Sequence, residues 1–163
     1  MNLWFRLLYL QLLLRRRPPI DLLDPAILEL RVWPTDLDLF GHVNNGRYLS
    51  LMDLGRLALT HQTGLLTVAR RRRWMPLARG VDIEYYKPLL PLQAFSLHSR
   101  LLGWDRKWLY IHQFFQRGET LIAEAQVHGL FRGPQGNVPT GELLAALGHA
   151  GRTSPEIPVS PTH

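Results

Sequence analysis

From residue 78 onward the sequence keeps a strand-like period through four consecutive stretches. They are ARGVDIEYYKPL (78–89), QAFSLHSRLLGWD (93–105), KWLYIHQFFQRG (107–118) and TLIAEAQVHGLFRG (120–133). Each alternates apolar and polar residues, or runs apolar, over the length of a strand. The breaks between them are short: LP near 90, WDR near 105 and RGE near 118. Connections that short join antiparallel neighbours, because a parallel crossover needs a much longer segment. The second half of the chain is therefore expected to be a run of antiparallel hairpins.

The first half supplies what such a sheet must cover. AILELRVWP (26–34) alternates and reads as one more strand, closed by Pro34. Residues 35–45 read as a loop. From Gly46 the apolar positions Tyr48, Leu49, Met52, Leu54, Leu57, Ala58 and then His61 or Leu65 recur at helical spacing. This predicts one long helix ending near Gly64. LLTVARRRRWMPLARG (65–80) reads as a connector with a second short apolar turn. TGELLAALG (140–148) reads as a short helix with Thr140 as N-cap and Gly148 as stop. A single amphipathic helix must bury its stripe, and one sheet of five strands can wrap it. The expected class is two-layer α+β.

Bulk properties bound the rest. At 163 residues the chain fits one domain with a real core. It has no cysteine, so disulfides and thiolate metal sites are excluded. His98, His112 and His128 fall in strand-like stretches without metal-ligand spacing, and no metal is expected. The net charge of +6 is carried almost wholly by arginine, and Lys87 and Lys107 are the only lysines. A basic surface attracts nucleic acid, anionic lipid or phosphate-bearing substrates. The chain carries no zinc spacing, basic heptads or RNP-like aromatic run, so no nucleic acid is expected as partner.

The segment MNLWFRLLYLQLLLRRR (1–17) stands apart. It is shorter than the roughly 20 apolar residues of a spanning helix. Its arginines follow the apolar part, and no small-residue cleavage site appears, which disfavours a signal peptide. Two readings stay open. It lies in a membrane interface with Trp4, Phe5, Tyr9 and the leucines down and Arg15–Arg17 on headgroups, or it packs as a helix on the domain or on a partner subunit. RPPI (17–20) ends it. The expected organisation is an N-terminal segment 1–19, a domain 20–150 and a flexible tail 151–163.

TDLDLFGHVNNGRYLSLMD (35–53) concentrates the chemistry. Asp36 and Asp38 are two apart after a strand, so alternation sends them to opposite sides. One can face a cleft while the other makes a local Asx-type bond. Gly41 permits a positive φ. Asn44 and Asn45 fall where free helix N–H groups and the positive dipole end can polarise a carbonyl. A carboxylate facing that point can serve as nucleophile or general base on an acyl group. The same residues also make an ordinary turn and cap.

The stretch DLDLFGHVNNGRYLSLMD resembles the signature of hotdog-fold thioesterases of the 4-hydroxybenzoyl-CoA thioesterase type, D-x-D-x-x-G-H-x-N-x-x-x-Y opening the central helix. Within that superfamily, TDLDL, HVNNGRYL and RLLGWD (100–105) resemble stretches of the THEM-type thioesterase-like proteins of animals. The resemblance covers roughly residues 26–133, a span compatible with one domain. It implies a hotdog fold, a five- to six-stranded antiparallel sheet wrapped around one long helix. It also implies an acyl-CoA or aryl-CoA thioesterase without a cofactor. Asp38 matches the catalytic carboxylate, the backbone N–H near Asn45 the group that polarises the carbonyl, and His42 a histidine beside the carboxylate. Phe40, Gly41, Val43, Gly46, Tyr48 and Asp53 become substrate-binding candidates. Arg70, Arg71, Arg72 and Arg73 become candidates for the phosphates of coenzyme A, since arginine binds phosphate bidentately. Phe40 replaces the asparagine of carrier-protein thioesterases, which speaks against a carrier-protein substrate. The helix lacks the glutamate of a second hotdog class. Relatives pair into homodimers or homotetramers with the site at the subunit interface, and carry a membrane anchor of which residues 1–17 would be a reduced version. A cytoplasmic location, with peripheral contact at the inner face of a membrane, is expected. The alternative is a non-catalytic, membrane-associated acyl-binding or scaffolding protein that keeps the fold.

Overall fold

The computed structural model describes residues 3–14 and 16–157. Arg15 of the arginine cluster, the side chains of Trp4, Phe5 and Tyr9, and residues 158–163 of the expected tail lie outside the described residues.

The chain runs α1 (Leu3–Leu14), β1 (Ala26–Arg31), a 3-10 turn (Pro34–Asp36), α2 (Asn45–Gln62), α3 (Leu65–Arg72), β2 (Met75–Tyr85), β3 (Ala94–Trp104), β4 (Leu109–Arg117), β5 (Thr120–Gly133), β6 (Gly136–Val138) and α4 (Thr140–Ala146). The long strands form one antiparallel sheet in the order β1-β3-β4-β5-β2, with β6 paired to β5. This sheet curls around α2 in the hotdog arrangement that the motif implies. The short connector after α2 becomes α3, and β2 begins three residues before the alternating stretch read from the sequence.

Alternation decides which side chains meet the helix. Phe95, Leu97, Ser99 and Leu101 of β3, with Leu109, Ile111, Gln113 and Phe115 of β4, face inward and are buried. Tyr48 of α2 meets Phe115 edge-on at 5.0 Å, and Phe115 lies 5.9 Å from Phe95. Full burial of an aromatic or leucine side chain stabilises by about 1.5–3 kcal/mol, so this inner face dominates the core.

Tyr48, Met52, Leu54 and Ala58 of the expected stripe are buried, but the buried face of α2 is wider and differs at its edges. Its buried residues are Tyr48, Leu51, Met52, Leu54, Gly55, Ala58, Leu59 and Gln62, whereas Leu49 is exposed and Leu57 only half-buried. The reason is a polar node under the middle of α2. Gln113 is fully buried, and its Nε2 donates to the Met52 carbonyl at 3.0 Å and to Ser99 Oγ at 2.8 Å. Its Oε1 accepts from Arg56 Nη1 at 2.8 Å. Gly55 lets the helix approach this node. A Cβ there would sit 2.4 Å from Ser99 Oγ and 2.8 Å from Gln113 Nε2. Glycine and glutamine carry no apolar signal, so periodicity alone misses this part of the buried face.

At the N-terminus, α1 packs beside α2 with Leu10, Leu14 and Arg6 buried, while Leu8 and Leu12 are exposed. Among the described residues no helix is long and apolar enough to cross a membrane. At the C-terminus, Pro139 takes the N-cap position of α4 expected for Thr140. Thr140 is buried, and its hydroxyl donates to the Asp105 carbonyl instead. Gly148, with φ +85°, follows α4 as expected of a stop. Beyond it, Ser154 Oγ accepts the Trp104 N–H at 2.8 Å, and Arg152 pairs with both oxygens of Asp21 at 2.8 and 3.2 Å.

Candidate functional site

The loop between β1 and α2 is shaped by its two aspartates. Asp36 ends the 3-10 turn and points inward, 2% exposed. Its Oδ2 accepts from Arg6 Nη2 at 2.5 Å and from the Trp33 N–H at 2.8 Å, and its Oδ1 faces Arg47 Nε at 3.3 Å. Asp38 points outward. Its Oδ1 accepts the N–H groups of Phe40 at 2.8 Å and His42 at 3.2 Å, an Asx turn around the tip of the loop. Gly41 completes that tip with φ +77° and donates to the Asp38 carbonyl at 3.2 Å. The turn stands on a backbone frame. The Asp38 N–H donates to the His42 carbonyl at 2.8 Å, Leu37 bridges Val43, and the Asn44 N–H donates to the Asp36 carbonyl at 2.9 Å.

The expectation that one aspartate faces a cleft while the other makes the local turn is met differently. Asp38 makes the local turn through Oδ1 and also lines a cleft, and Asp36 is taken up by a buried ion pair. Among the described hydrogen bonds none reaches Asp38 Oδ2.

Asn44 caps α2, its Oδ1 accepting the Gly46 N–H at 2.9 Å. Asn45 opens the helix, and its backbone N–H meets no acceptor among the described residues. Asp38 and Asn45 line one open cleft of about 260 Å³ together with His42, Tyr85, Tyr86 and Lys87. Asp38 and the first residue of α2 thus line one open space. Val43 and Tyr48 form its buried floor. Desolvation holds the Tyr48 hydroxyl up to about 12, with the Leu89 backbone opposing, so it stays protonated at neutral pH.

Tyr85 is absent from the sequence reading of the site. Its ring packs edge-on against Tyr48 at 5.2 Å, and its hydroxyl donates to the Asn45 carbonyl at 3.3 Å. Burial raises the Tyr85 hydroxyl as well. Only the pairing of β2 with β5, which carries the end of β2 to the start of α2, brings it here. No local spacing signals it. Behind it, the Tyr86 hydroxyl lies 2.5 Å from Glu124 and 2.7 Å from Glu84, its one proton shared between the two carboxylates, and they push its pKa far above the ordinary phenol value.

Other expected site residues lie apart. Phe40, a substrate-binding candidate, is 85% exposed and its neighbour Leu39 fully so, because the Asx turn swings them out at the loop tip. Gly46 sits in the first turn of α2 under the Asn44 cap and off the cleft lining. Asp53 lies eight residues beyond Asn45, about 12 Å along the helix. It pairs with Arg56 at the rim of a second, apolar pocket of about 250 Å³, lined by Leu57, Leu66, Leu77, Ile111 and neighbours between α2 and the sheet. Arg70, Arg71 and Arg72 form the last turn of α3 and Arg73 its C-cap, all exposed, with Arg72 over the Trp74 ring at 5.7 Å. They precede β2, whereas the Asp38 cleft lies at its far end. That is about 33 Å of extended strand. Within one protomer these arginines do not reach the cleft.

Comparison with known proteins bears on this geometry. A sequence model of the thioesterase-like superfamily matches residues 32–153. The zebrafish (Danio rerio) protein THEM6 is 32% identical over 117 residues, covering 70% of this chain and 58% of that protein. The chain spans about half the length of the relatives it matches. Among solved structures, the probable thioesterase YbaW of Escherichia coli superposes with a TM-score of 0.69 at 19% identity, covering 77% of this chain and 98% of that one. The Staphylococcus aureus hypothetical protein SAV2348, solved in complex with CoA, superposes with a TM-score of 0.69 at 13% identity, covering 87% and 93%. These two share the fold.

Proposed function

The chain belongs to the thioesterase-like superfamily, and from that premise we propose that it hydrolyses an acyl-CoA or aryl-CoA thioester at the cleft beside Asp38. The observation that carries this reading is that Asp38, whose Oδ2 has no partner among the described hydrogen bonds, lines one cleft with Asn45, whose N–H meets no acceptor among the described residues. The thioester carbonyl oxygen points at that N–H, where the helix dipole and a fixed donor stabilise developing negative charge. Asp38 either attacks the carbonyl carbon, giving a mixed anhydride that a water then cleaves to restore the carboxylate, or takes a proton from a water that attacks the carbonyl directly. In both routes the C–S bond breaks, the CoA sulfur leaves and takes up a proton, and water supplies the oxygen of the free acid. His42, Tyr85 and Lys87 line the path of the leaving thiol. No cofactor enters the reaction.

The site is completed by a second copy. β2 is a long, exposed edge strand, and an edge of that length invites pairing. Antiparallel pairing of two β2 strands about their middle lays the Met75–Ala78 end of one protomer against the Glu84–Lys87 end of the other. The partner's arginine run then lies beside the Asp38 cleft, where CoA phosphates need cations. Sedimentation at micromolar concentration is expected to give a dimer or tetramer, and a monomer would remove this part of the reading.

A panel of acyl-CoAs, short to long and aromatic, tests the activity with wild type and Asp38→Asn. Turnover by wild type with loss in the variant supports it. The alternative, a non-catalytic acyl-binding or membrane-associated scaffold, draws on the Asx turn, which gives Asp38 Oδ1 a structural task. No turnover by an intact oligomer on any thioester would favour it.

A further inference from the structure

Asp36 is a buried carboxylate whose nearest cation comes from outside the family-matched segment 32–153. Arg6 of α1 is itself only 4% exposed, and its Nη2 also donates to the Arg31 carbonyl at the end of β1, at 2.9 Å. Asp36 therefore joins three elements: α1 through Arg6, the end of the β1 connection through the Trp33 N–H, and the start of α2 through Arg47 and the Asn44 N–H. Asp38 hangs from this hub by two residues and the Leu37–Val43 bridge.

We propose that Arg6 is a positioning residue for Asp38, acting through Asp36, so that α1 works as a strap on the catalytic loop. The inference rests on the reading of Asp38 as the reacting carboxylate. A carboxylate this deeply buried is tolerated only with its charge paired and its oxygens bonded. Arg47 alone is a poor substitute. It is partly exposed, meets Asp36 through Nε at 3.3 Å, and commits its Nη2 to the Thr35 carbonyl. Without Arg6, Asp36 must draw in water or turn outward. Either motion pulls on the Asn44 N–H bond and the Leu37–Val43 bridge, the frame that holds Asp38 at the cleft. Whatever seats or lifts α1 is then felt at the reacting carboxylate, although Arg6 never touches substrate.

A mutant cycle on the full chain tests this: Arg6→Met and Arg6→Lys, each alone and in an Asp36→Asn background. Two readouts are taken, kcat and KM on the best thioester of the panel, and amide hydrogen exchange of residues 33–47. Arg6→Met is expected to lower kcat by about tenfold with KM within about twofold, and to speed exchange in 33–47 by about tenfold. Arg6→Lys, which keeps the charge, is expected to recover most of both. In the Asp36→Asn background, replacing Arg6 is expected to change either readout by less than about twofold, because its partner charge is gone. Unchanged kcat and exchange in a folded Arg6→Met would overturn the proposal, as would an equal loss in both backgrounds. If wild type hydrolyses no thioester, the catalytic reading falls, and the exchange cycle still decides whether Arg6 holds the loop through Asp36. Should Arg6→Met not fold, Arg6→Gln, which keeps a hydrogen-bond donor but drops the charge, takes its place in the same cycle with the same expected and overturning results.

Discussion

Asp36 and Asp38 are the same residue two positions apart, and the fold gives them opposite environments. Asp36 lies inside, with a guanidinium on one oxygen and a second cation and a backbone amide completing it. Asp38 lies at the rim of the cleft, with one oxygen closed by amides and the other without a partner among the described hydrogen bonds. A buried carboxylate held by two cations and an amide has little capacity left for chemistry, but its removal leaves a buried cation uncompensated. A rim carboxylate costs little to hold, and an unbonded oxygen is what a nucleophile or base requires. The difference separates stability from reactivity within a single D-x-D.

Replacing each aspartate in turn should separate the two. The largest effect on stability is expected from Asp36→Asn, which strands Arg6 in the interior. Urea unfolding should show a loss of about 3–5 kcal/mol, and a midpoint equal to wild type would break the comparison. Asp38→Asn should do the reverse. Its unfolding free energy should stay within about 1 kcal/mol of wild type, because asparagine still makes the Asx turn. Its kcat should fall on the order of 10²-fold, near 2.7 kcal/mol of barrier. Phe40→Ala removes an aromatic ring that packs on nothing in one protomer, so stability should move by less than about 0.5 kcal/mol. A rise in KM with kcat kept would place that ring against substrate in the assembled dimer.

The smallest effect is expected at the surface pair of the same chemistry, Asp21 with Arg152. The guanidinium, then the Leu23 amide, lower the Asp21 carboxyl from 3.8 to about 2. A depressed carboxylate stabilises fully above its unfolded value and loses that contribution as pH falls through its folded one. The contribution is therefore intact above about pH 4 and gone below about pH 2. Asp21→Asn should lower the midpoint at pH 7 only slightly, because solvent screens this exposed pair, and the difference from wild type should close as pH falls below about 2. A loss at pH 7 as large as that of Asp36→Asn would show that burial is not what distinguishes the two pairs.

Much of this arrangement is legible residue by residue. The period-two stretches and their short breaks become β2 to β5 in the expected order, since alternation and connection length are local properties. Asn44 and Asn45 open α2 where the motif places them, because capping too is local. Less legible is the face of α2. Leu49, Leu51, Leu54, Leu57 and Leu59 offer more apolar positions than one sheet can cover, and the Gln113–Ser99 node with Gly55 above it selects among them. Tyr85 and Arg6 had no local signal at all. One reaches the site through strand pairing, and the other across thirty residues of chain.

By itself the sequence determined the class of fold, the start of the central helix and the loop that carries both aspartates, because period, caps and turns depend on neighbours along the chain. The tertiary structure decided which aspartate is buried, that the ends of β2 separate the cleft from the arginine run, and that α1 supplies the cation for Asp36. Those outcomes depend on solvent exclusion and on charges brought together from distant positions, and neither exists until the sheet has closed around its helix.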